Sequence, residues 1–408
     1  MREPVVVTGM GVVTPLGNTV ETFWEGLLAG RSGVRQVPWA DERFTTRIAA
    51  LCEDVTPEGV DPRELRRQSR CIQFALEAAN QAWKQAGLDI SRENPTRCGV
   101  YIGSGIGGIE EICDNTLKLH EQGPRRVSPF LFPKGLSNMP SAVVAIHLGL
   151  QGPSRSVVTA CSTGAQSIVA AAEALWLGRA DVMLAGGTEA AVIDLGLAGF
   201  GAIRALSTRN DEPERASRPF DADRDGFVLG EGAGVLVLET LSHARARGAA
   251  ILAVLAGVGE TTDAYHVVAP RPDGSGCAEA MRLALEDAGV APDAVGYVNA
   301  HGTSTKLNDA AECLAMRSVF GNHEPWVSST KSMIGHLMGA AGGVESVACV
   351  QSLRTGVLHE NKNYEKPDPE CPARIVAGGP KEVKIDFALS NSLGFGGHNV
   401  SLLFARHG

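Results

Sequence analysis

A chain of 408 residues exceeds the usual span of one domain, so one very large unit or two halves are expected. Hydrophobic residues make up 44% but aromatics only 5%, so the core must be built from Ala, Val, Leu and Ile; a net charge of −9 argues against non-specific nucleic-acid binding. No uncharged apolar run approaches the ~20 residues needed to span a bilayer, no signal peptide is visible in "MREPVVVTGMG", and nine singly spaced cysteines without a CxxC pair suit a reducing compartment, so a cytoplasmic protein with no membrane association is expected.

Val5–Val13 ("VVVTGMGVV") reads as a β-branched strand entering a glycine turn. Ile72–Leu88 reads as a helix with Ile72, Leu76, Ala79 and Trp83 near one face, ending at Gly87. Gly99–Gly105 ("GVYIGSG") reads as a buried strand. Ser156–Gly178 ("SVVTACSTGAQSIVAAAEALWLG") reads as a strand, a turn and a long helix of small residues. The series then recurs in the same order, as Leu252–Glu260, Cys277–Val290, Val295–Gly302 ("VGYVNAHG") and Val327–Gly356. A recurrence this widely spaced implies duplication of one βα unit rather than a solenoid. The charged segment Leu241–Ala250 marks the join, giving halves 1–250 and 251–408 packed together without a flexible linker. Strands alternating with helices predict an α/β fold with a mainly parallel sheet covered on both faces.

Cys161 falls where a strand through Thr159–Ala160 is expected to become a helix from Ser162 onward. Unsatisfied N–H groups and the positive end of the helix dipole would then face the sulfur and lower its pKa below the free value of ~8.5. The alternative, a buried structural thiol, is the reading for the other eight cysteines. His301 follows an apolar strand pattern, and Lys331 and His336 share a glycine-punctuated segment. Strand ends of duplicated α/β halves converge on one crevice. A cysteine with two histidines there suits either a hydrolase triad or a pair of N–H donors to a developing enolate. "NSLGFGGHN" (Asn391–Asn399) adds a glycine loop able to offer a backbone N–H, with Phe395 over the opening.

Three other patterns carry less. "GSGIGG" (Gly103–Gly108) fits a dinucleotide fingerprint but lacks the acidic residue about 20 positions on. "DADRDG" (Asp221–Gly226) resembles a calcium loop whose closing acid, Glu231, comes one residue early. "SSTK" (Ser328–Lys331) matches SxxK without its partner motifs.

Together, "TACSTGAQSI", "NAHGTSTKLNDAAE", "SSTKSMIGHLMGAAGGVES", "NSLGFGGHN" and Gly199–Glu239 resemble the β-ketoacyl-[acyl-carrier-protein] synthases, most closely the type II elongating form. The resemblance runs from Val5 to the C-terminus. It implies a thiolase-type fold, two duplicated halves in five layers α-β-α-β-α. It implies an acyltransferase that performs decarboxylative Claisen condensation of malonyl-acyl carrier protein with a Cys-bound acyl chain in fatty-acid elongation, with no cofactor and no metal. By this likeness Cys161 is the nucleophile, and His301 and His336 promote decarboxylation and stabilise the enolate. Lys331 supports the histidines and Glu345 anchors Lys331. The backbone N–H groups of Cys161 and Phe395 form the oxyanion hole, and Phe395 is also a gate. Thr303 and Thr305 bind the phosphopantetheine arm, and Ile112 ends the acyl channel. The implied partners are acyl carrier protein and a second copy of the chain; Arg63, Arg66 and Arg67 read either as a basic docking patch or as a solvated helix face, and Ser128–Lys134 is an apolar segment suited to the dimer interface.

Two departures qualify the likeness. Lys306 stands where proline is common, as in some aromatic-polyketide ketosynthases, so a dissociated polyketide or specialised fatty-acid pathway is the alternative. Glu110 and Glu111 place two carboxylates near the channel end. A non-catalytic chain-length partner would lack Cys161, and a coenzyme A thiolase would carry a second cysteine near the C-terminus, where the nearest candidate is Cys371.

Overall fold

The computed structural model describes residues 2–408. Its framework is an eleven-stranded sheet. In chain order the strands are β1 (Val5–Val13), β2 (Cys98–Gly103), β3 (Ser154–Arg155), β4 (Val182–Glu189), β5 (Gly232–Thr240), β6 (Ala253–Thr262), β7 (Val295–Asn299), β8 (Trp326–Ser328), β9 (Arg374–Ile375), β10 (Phe387–Gly394) and β11 (His398–Ala405). Across the sheet they run β9-β8-β7-β10-β11-β6-β1-β5-β4-β2-β3. The first half has the order β3-β2-β4-β5-β1, and the second repeats it as β8-β7-β10-β11-β6 with β9 added at the edge. The sequence recurrence is therefore a recurrence of topology. β1 and β6 pair antiparallel at Val5–Val7 and join the two halves into one sheet.

Six helices of 14 to 16 residues give the layers, and two of them are central. α1 (Arg70–Gln85) covers the outer face of the first half; α2 (Ile109–Gln122) follows the loop after β2 and packs against residues 131–135. α3 (Thr163–Trp176) and α6 (Ala341–Thr355) fill the space between the half-sheets, and α4 (Ser275–Ala288) and α5 (Lys306–Phe320) cover the outer face of the second half. α6 is buried on every side from Ala341 to Leu353, as a helix sandwiched between two sheets must be. The central cluster draws on both half-sheets and both central helices, while separate clusters lie under α1 and under α4 and α5. This is the thiolase-type α-β-α-β-α arrangement. Its tight centre depends on glycine: a Cβ at Gly187 would stand 2.1 Å from the Gly339 carbonyl oxygen, and one at Gly164 2.9 Å from the same atom.

Two expectations are corrected. The sheet is mixed rather than mainly parallel. β2, β3 and β4 pair in parallel, as do β7 with β8 and β10, but β5 and β11 run antiparallel to their neighbours. The short β10–β11 turn at Phe395–Gly397 closes a hairpin, which requires antiparallel strands. Nor is Ser156–Ala160 a strand: β3 stops at Arg155, and Ala160 takes φ 51°, a left-handed conformation no extended run tolerates. Ser141 Oγ donates to the Arg155 carbonyl at 2.7 Å and Ser156 Oγ to the Ser137 carbonyl at 2.8 Å, which turn the chain away from the sheet.

Candidate active site

Cys161 lies in a single 3₁₀ turn, Ala160–Ser162, that runs directly into α3. Thr159 N–H donates to Thr163 Oγ1 at 2.9 Å and Ser162 Oγ to the Thr159 carbonyl at 2.9 Å, so the helix start is closed by its own side chains. The second half has the same device. Met338 takes φ 48° and begins the 3₁₀ turn Met338–Ala340 that runs into α6. Ala160 and Met338 are equivalent, so Gly339 occupies the place of Cys161. The duplicated turn is kept in both halves, and only one carries a thiol.

The sulfur does not have the lowered pKa expected of it. Burial pushes the Cys161 thiol up to about 12, against the opposing pull of the Lys331 charge and of a hydrogen bond from the Phe395 N–H. Loss of water around the thiolate outweighs these nearby donors. The resting group is a thiol and needs a base.

That base is at hand. His301 follows β7, and its backbone N–H donates to Glu312 Oε1 at 2.8 Å while Gly302 N–H donates to Oε2 at 2.8 Å. Burial raises Glu312 to about 7 even against these donors. His336 is pinned through its own backbone, its N–H donating to the Val228 carbonyl at 2.7 Å and its carbonyl accepting from Gly230 at 2.9 Å. The rings of His301 and His336 stand edge to face with centroids 5.3 Å apart, and Phe227 packs edge-on against His336 at 5.3 Å. Met338 N–H donates to His336 Nδ1 at 3.3 Å, which leaves the ring proton on Nε2. Burial, then the charge of Lys331, holds both imidazoles well below their ordinary 6.5, so both are neutral at pH 7. Lys331 is itself buried and forms an ion pair with Glu345 of α6.

A cavity of about 350 Å³ collects these groups: Cys161, His301, His336, Thr303, Thr305 and Phe395 all line it. Lys331 and Glu345 lie behind the histidines and do not reach it. The Thr303 and Thr305 hydroxyls are 2.9 Å apart. Their loop is held from below by the fully buried Arg224, which donates to the Thr305 carbonyl at 3.2 Å and the Lys306 carbonyl at 3.1 Å and pairs with Asp309 and Asp368. The calcium-like segment Asp221–Gly226 is thus an anchor for this loop. Among the described residues no group of three or more His, Cys, Asp or Glu is arranged to hold a metal ion. Exposed Arg204 and Lys306 stand at the mouth, and Lys306 donates to the Ala222 carbonyl.

Ile112, the expected end of the acyl channel, is not brought to the cavity by the single chain: it is 48% exposed on α2. Arg63, Arg66 and Arg67 are exposed as expected, with Arg67 paired to Glu64 at 2.6 Å. Sequence reasoning missed Glu189. It ends β4, is fully buried, and accepts from Ser104 Oγ and Gly105 N–H at 2.8 Å and from Gly339 N–H at 3.1 Å. The signal was present as a lone acid closing the apolar run "VMLAGGTEA". The glycine segment Gly103–Gly108, which only resembled a dinucleotide fingerprint, is the loop that Glu189 holds beside the nucleophile turn.

A doubled five-layer core with a buried thiol and two neutral imidazoles at the convergent strand ends defines a thiolase-type protein. Family models described as β-ketoacyl synthase, N-terminal domain and C-terminal domain match residues 2–244 and 252–365. The chain belongs to the β-ketoacyl synthase family. It is 49% identical over 409 residues to a 3-oxoacyl-[acyl-carrier-protein] synthase 2 of Coxiella burnetii, covering 99% of each chain. It is 46% identical to the protein so named in Synechocystis, covering 100% of this chain and 99% of that one. Among solved structures, a type II polyketide ketosynthase in complex with its acyl-carrier protein and bound to the hexaketide aligns with TM-score 0.94 at 33% identity over 100% of both chains. A β-ketoacyl synthase from Burkholderia phymatum aligns with TM-score 0.93 at 36% identity, also over 100% of both.

Proposed function

We propose that this chain is a β-ketoacyl-acyl-carrier-protein synthase that elongates acyl chains by decarboxylative Claisen condensation. The observation that carries the reading is one cavity shared by a buried thiol and two imidazoles held neutral. Cys161 Sγ attacks the acyl thioester carbonyl, its proton passes to an imidazole, and the departing pantetheine thiolate takes that proton back. The acyl chain is then held on sulfur with its activation conserved. The malonyl thioester next loses CO₂, and the electron pair of the broken bond moves onto its carbonyl oxygen. Imidazole N–H groups stabilise this enolate, as a donor pair in a dry site does best. Its carbon attacks the acyl-Cys carbonyl. The oxyanion formed is held by the N–H groups of Cys161 and Phe395, and collapse expels the Cys161 sulfur and releases the 3-oxoacyl product.

The neighbouring residues take matching roles. Lys331 keeps the imidazoles neutral and Glu345 anchors Lys331, Thr303 and Thr305 bind the phosphopantetheine amides, and Phe395 gates the passage. Cys161 shares an apolar cluster with Val192, Leu197, Leu206, Phe227 and Met338, which suits an acyl chain. The half 1–250 supplies the nucleophile and the half 251–408 the histidines. The carrier-protein partner would dock on Arg63, Arg66 and Arg67. A homodimer is supported by β3, an edge strand, and by exposed Phe132, Ile146 and Val158 nearby. In that dimer Ile112 would be covered and would close the far end of the acyl channel. The chain has no helix long and apolar enough to cross a membrane among its described residues, and its nine free cysteines suit the cytoplasm.

Lys306 favours a second reading, a polyketide or specialised ketosynthase. A scan of acyl-carrier-protein thioesters with malonyl-acyl carrier protein, read by mass spectrometry, tests both. One condensation per cycle on saturated chains is expected. Repeated condensation without reduction would move the assignment to polyketide assembly, and no 3-oxoacyl product from any chain length would overturn it.

A further inference from the structure

Glu189 is a fully buried carboxylate at the seam of the two halves. Oε1 accepts from Ser104 Oγ at 2.8 Å and Ile106 N–H at 3.3 Å, and Oε2 from Gly105 N–H at 2.8 Å and Gly339 N–H at 3.1 Å. Three backbone N–H groups reach its two oxygens, which favours the ionised form, while burial pushes its carboxyl up from the ordinary carboxylate range. Ser104, Gly105 and Ile106 follow β2 in the first half, whereas Gly339 is the counterpart of Cys161 in the second. The backbones close in around that carboxylate: a Cβ on Gly339 would stand 2.6 Å from Gly105 N and 2.8 Å from Glu189 Oε2, and one on Gly105 2.8 Å from Glu189 Oε2 and 3.5 Å from the Ala160 carbonyl oxygen.

We propose that Glu189 is a positioning residue for the condensation, one carboxylate that binds the Ser104–Ile106 loop to the Gly339 turn and so holds the Ala160–Cys161 turn in place. Where it is ionised, its charge adds to burial in opposing ionisation of the Cys161 thiol. The charged and titratable groups around that sulfur are Lys331, Glu189 and Glu345, with His301 and His336 in the same cavity. Lys331 favours thiolate and the two carboxylates oppose it, and Glu345 is already paired with Lys331. Glu189 is therefore the opposing charge without a cation beside it. The inference rests on the condensing-enzyme reading given above.

The test follows iodoacetamide labelling of Cys161 against pH, by peptide mass mapping, beside steady-state condensation, in the wild type, Glu189→Gln and Glu189→Asp. Glu189→Gln removes the charge. Its labelling midpoint should fall by about one pH unit, and kcat should fall about tenfold with KM little changed. Glu189→Asp keeps the charge but withdraws the oxygens, so the midpoint should stay at the wild-type value while kcat falls. A Gln variant with wild-type kcat and midpoint overturns the proposal. So does a matching midpoint in both variants with only a lowered melting temperature. If the Gln variant does not fold, wild-type kcat in the Asp variant overturns it. Absence of an acyl adduct on Cys161 in the wild type would instead sink the condensing-enzyme reading.

Discussion

His301 and His336 face each other edge to face at 5.3 Å, though 35 residues and a helix separate them in the chain. β7 delivers one ring and the loop after β8 the other, and the adjacency of β7 and β8 brings them together. Each ring is neutral because burial and the nearby Lys331 both oppose a second positive charge.

That neutrality sets the pH profile. A histidine held below 6.5 acquires its charge only at lower pH, so condensation should stay level from pH 8 down to 6.5 and fall on the acid side of that. The Cys161 thiol, at about 12, should alkylate roughly tenfold faster for each added pH unit between 7 and 9. Stopped-assay rates and labelling rates across pH check both, and a loss of activity already complete at pH 7 would contradict the first.

Replacing Cys161, the proposed nucleophile, should separate the two half-reactions. Cys161→Ala should form no acyl adduct by intact mass, while Cys161→Gln should continue to release CO₂ from malonyl-acyl carrier protein. An acyl adduct on the alanine variant would refute the assignment of the thiol.

His336 donates from Nε2 because Met338 occupies Nδ1. His336→Ala should therefore lose condensation by about 10²-fold or more, the scale for one oxyanion donor, yet still become acylated. Mass spectrometry of the acylated variant beside a condensation assay decides it.

The buried pair Lys331–Glu345 should behave asymmetrically. Breaking it with Lys331→Ala should cost about 3–5 kcal/mol of stability in urea unfolding. The double variant Lys331→Met with Glu345→Leu should recover most of that. With the cation gone the imidazoles bind protons more readily, so the acid limb of any remaining activity should move to higher pH.

On β5, burial pushes Glu239 up, but hydrogen bonds from Arg247, His243 and Thr8 outweigh it and hold the carboxyl at about 2. A depressed carboxylate stabilises the fold above its ordinary 4.5 and loses that contribution as pH falls toward 2. The shift is worth about 3 kcal/mol. Glu239→Gln should thus cost about that much at pH 7, with the gap to wild type closing between pH 4.5 and 2 in chemical unfolding.

Much of this was written in the linear chain. The recurrence of Val5–Val13 in Leu252–Glu260, and of the Ser156–Gly178 pattern in Val327–Gly356, announced a doubled fold because strand and helix periodicities are local properties. Cys161, His301, His336 and Phe395 were singled out from short motifs, and the fold brings all four to one cavity. Tertiary structure alone decided three things. It made the sheet mixed, since pairing direction depends on which edges meet. It made Cys161 a resting thiol, since desolvation is set by everything packed around the sulfur and not by the turn that carries it. And it disclosed Glu189, whose donors come from Ser104 to Ile106 and from Gly339; no local pattern in the chain encodes a contact that closes across more than 80 residues on one side and 150 on the other.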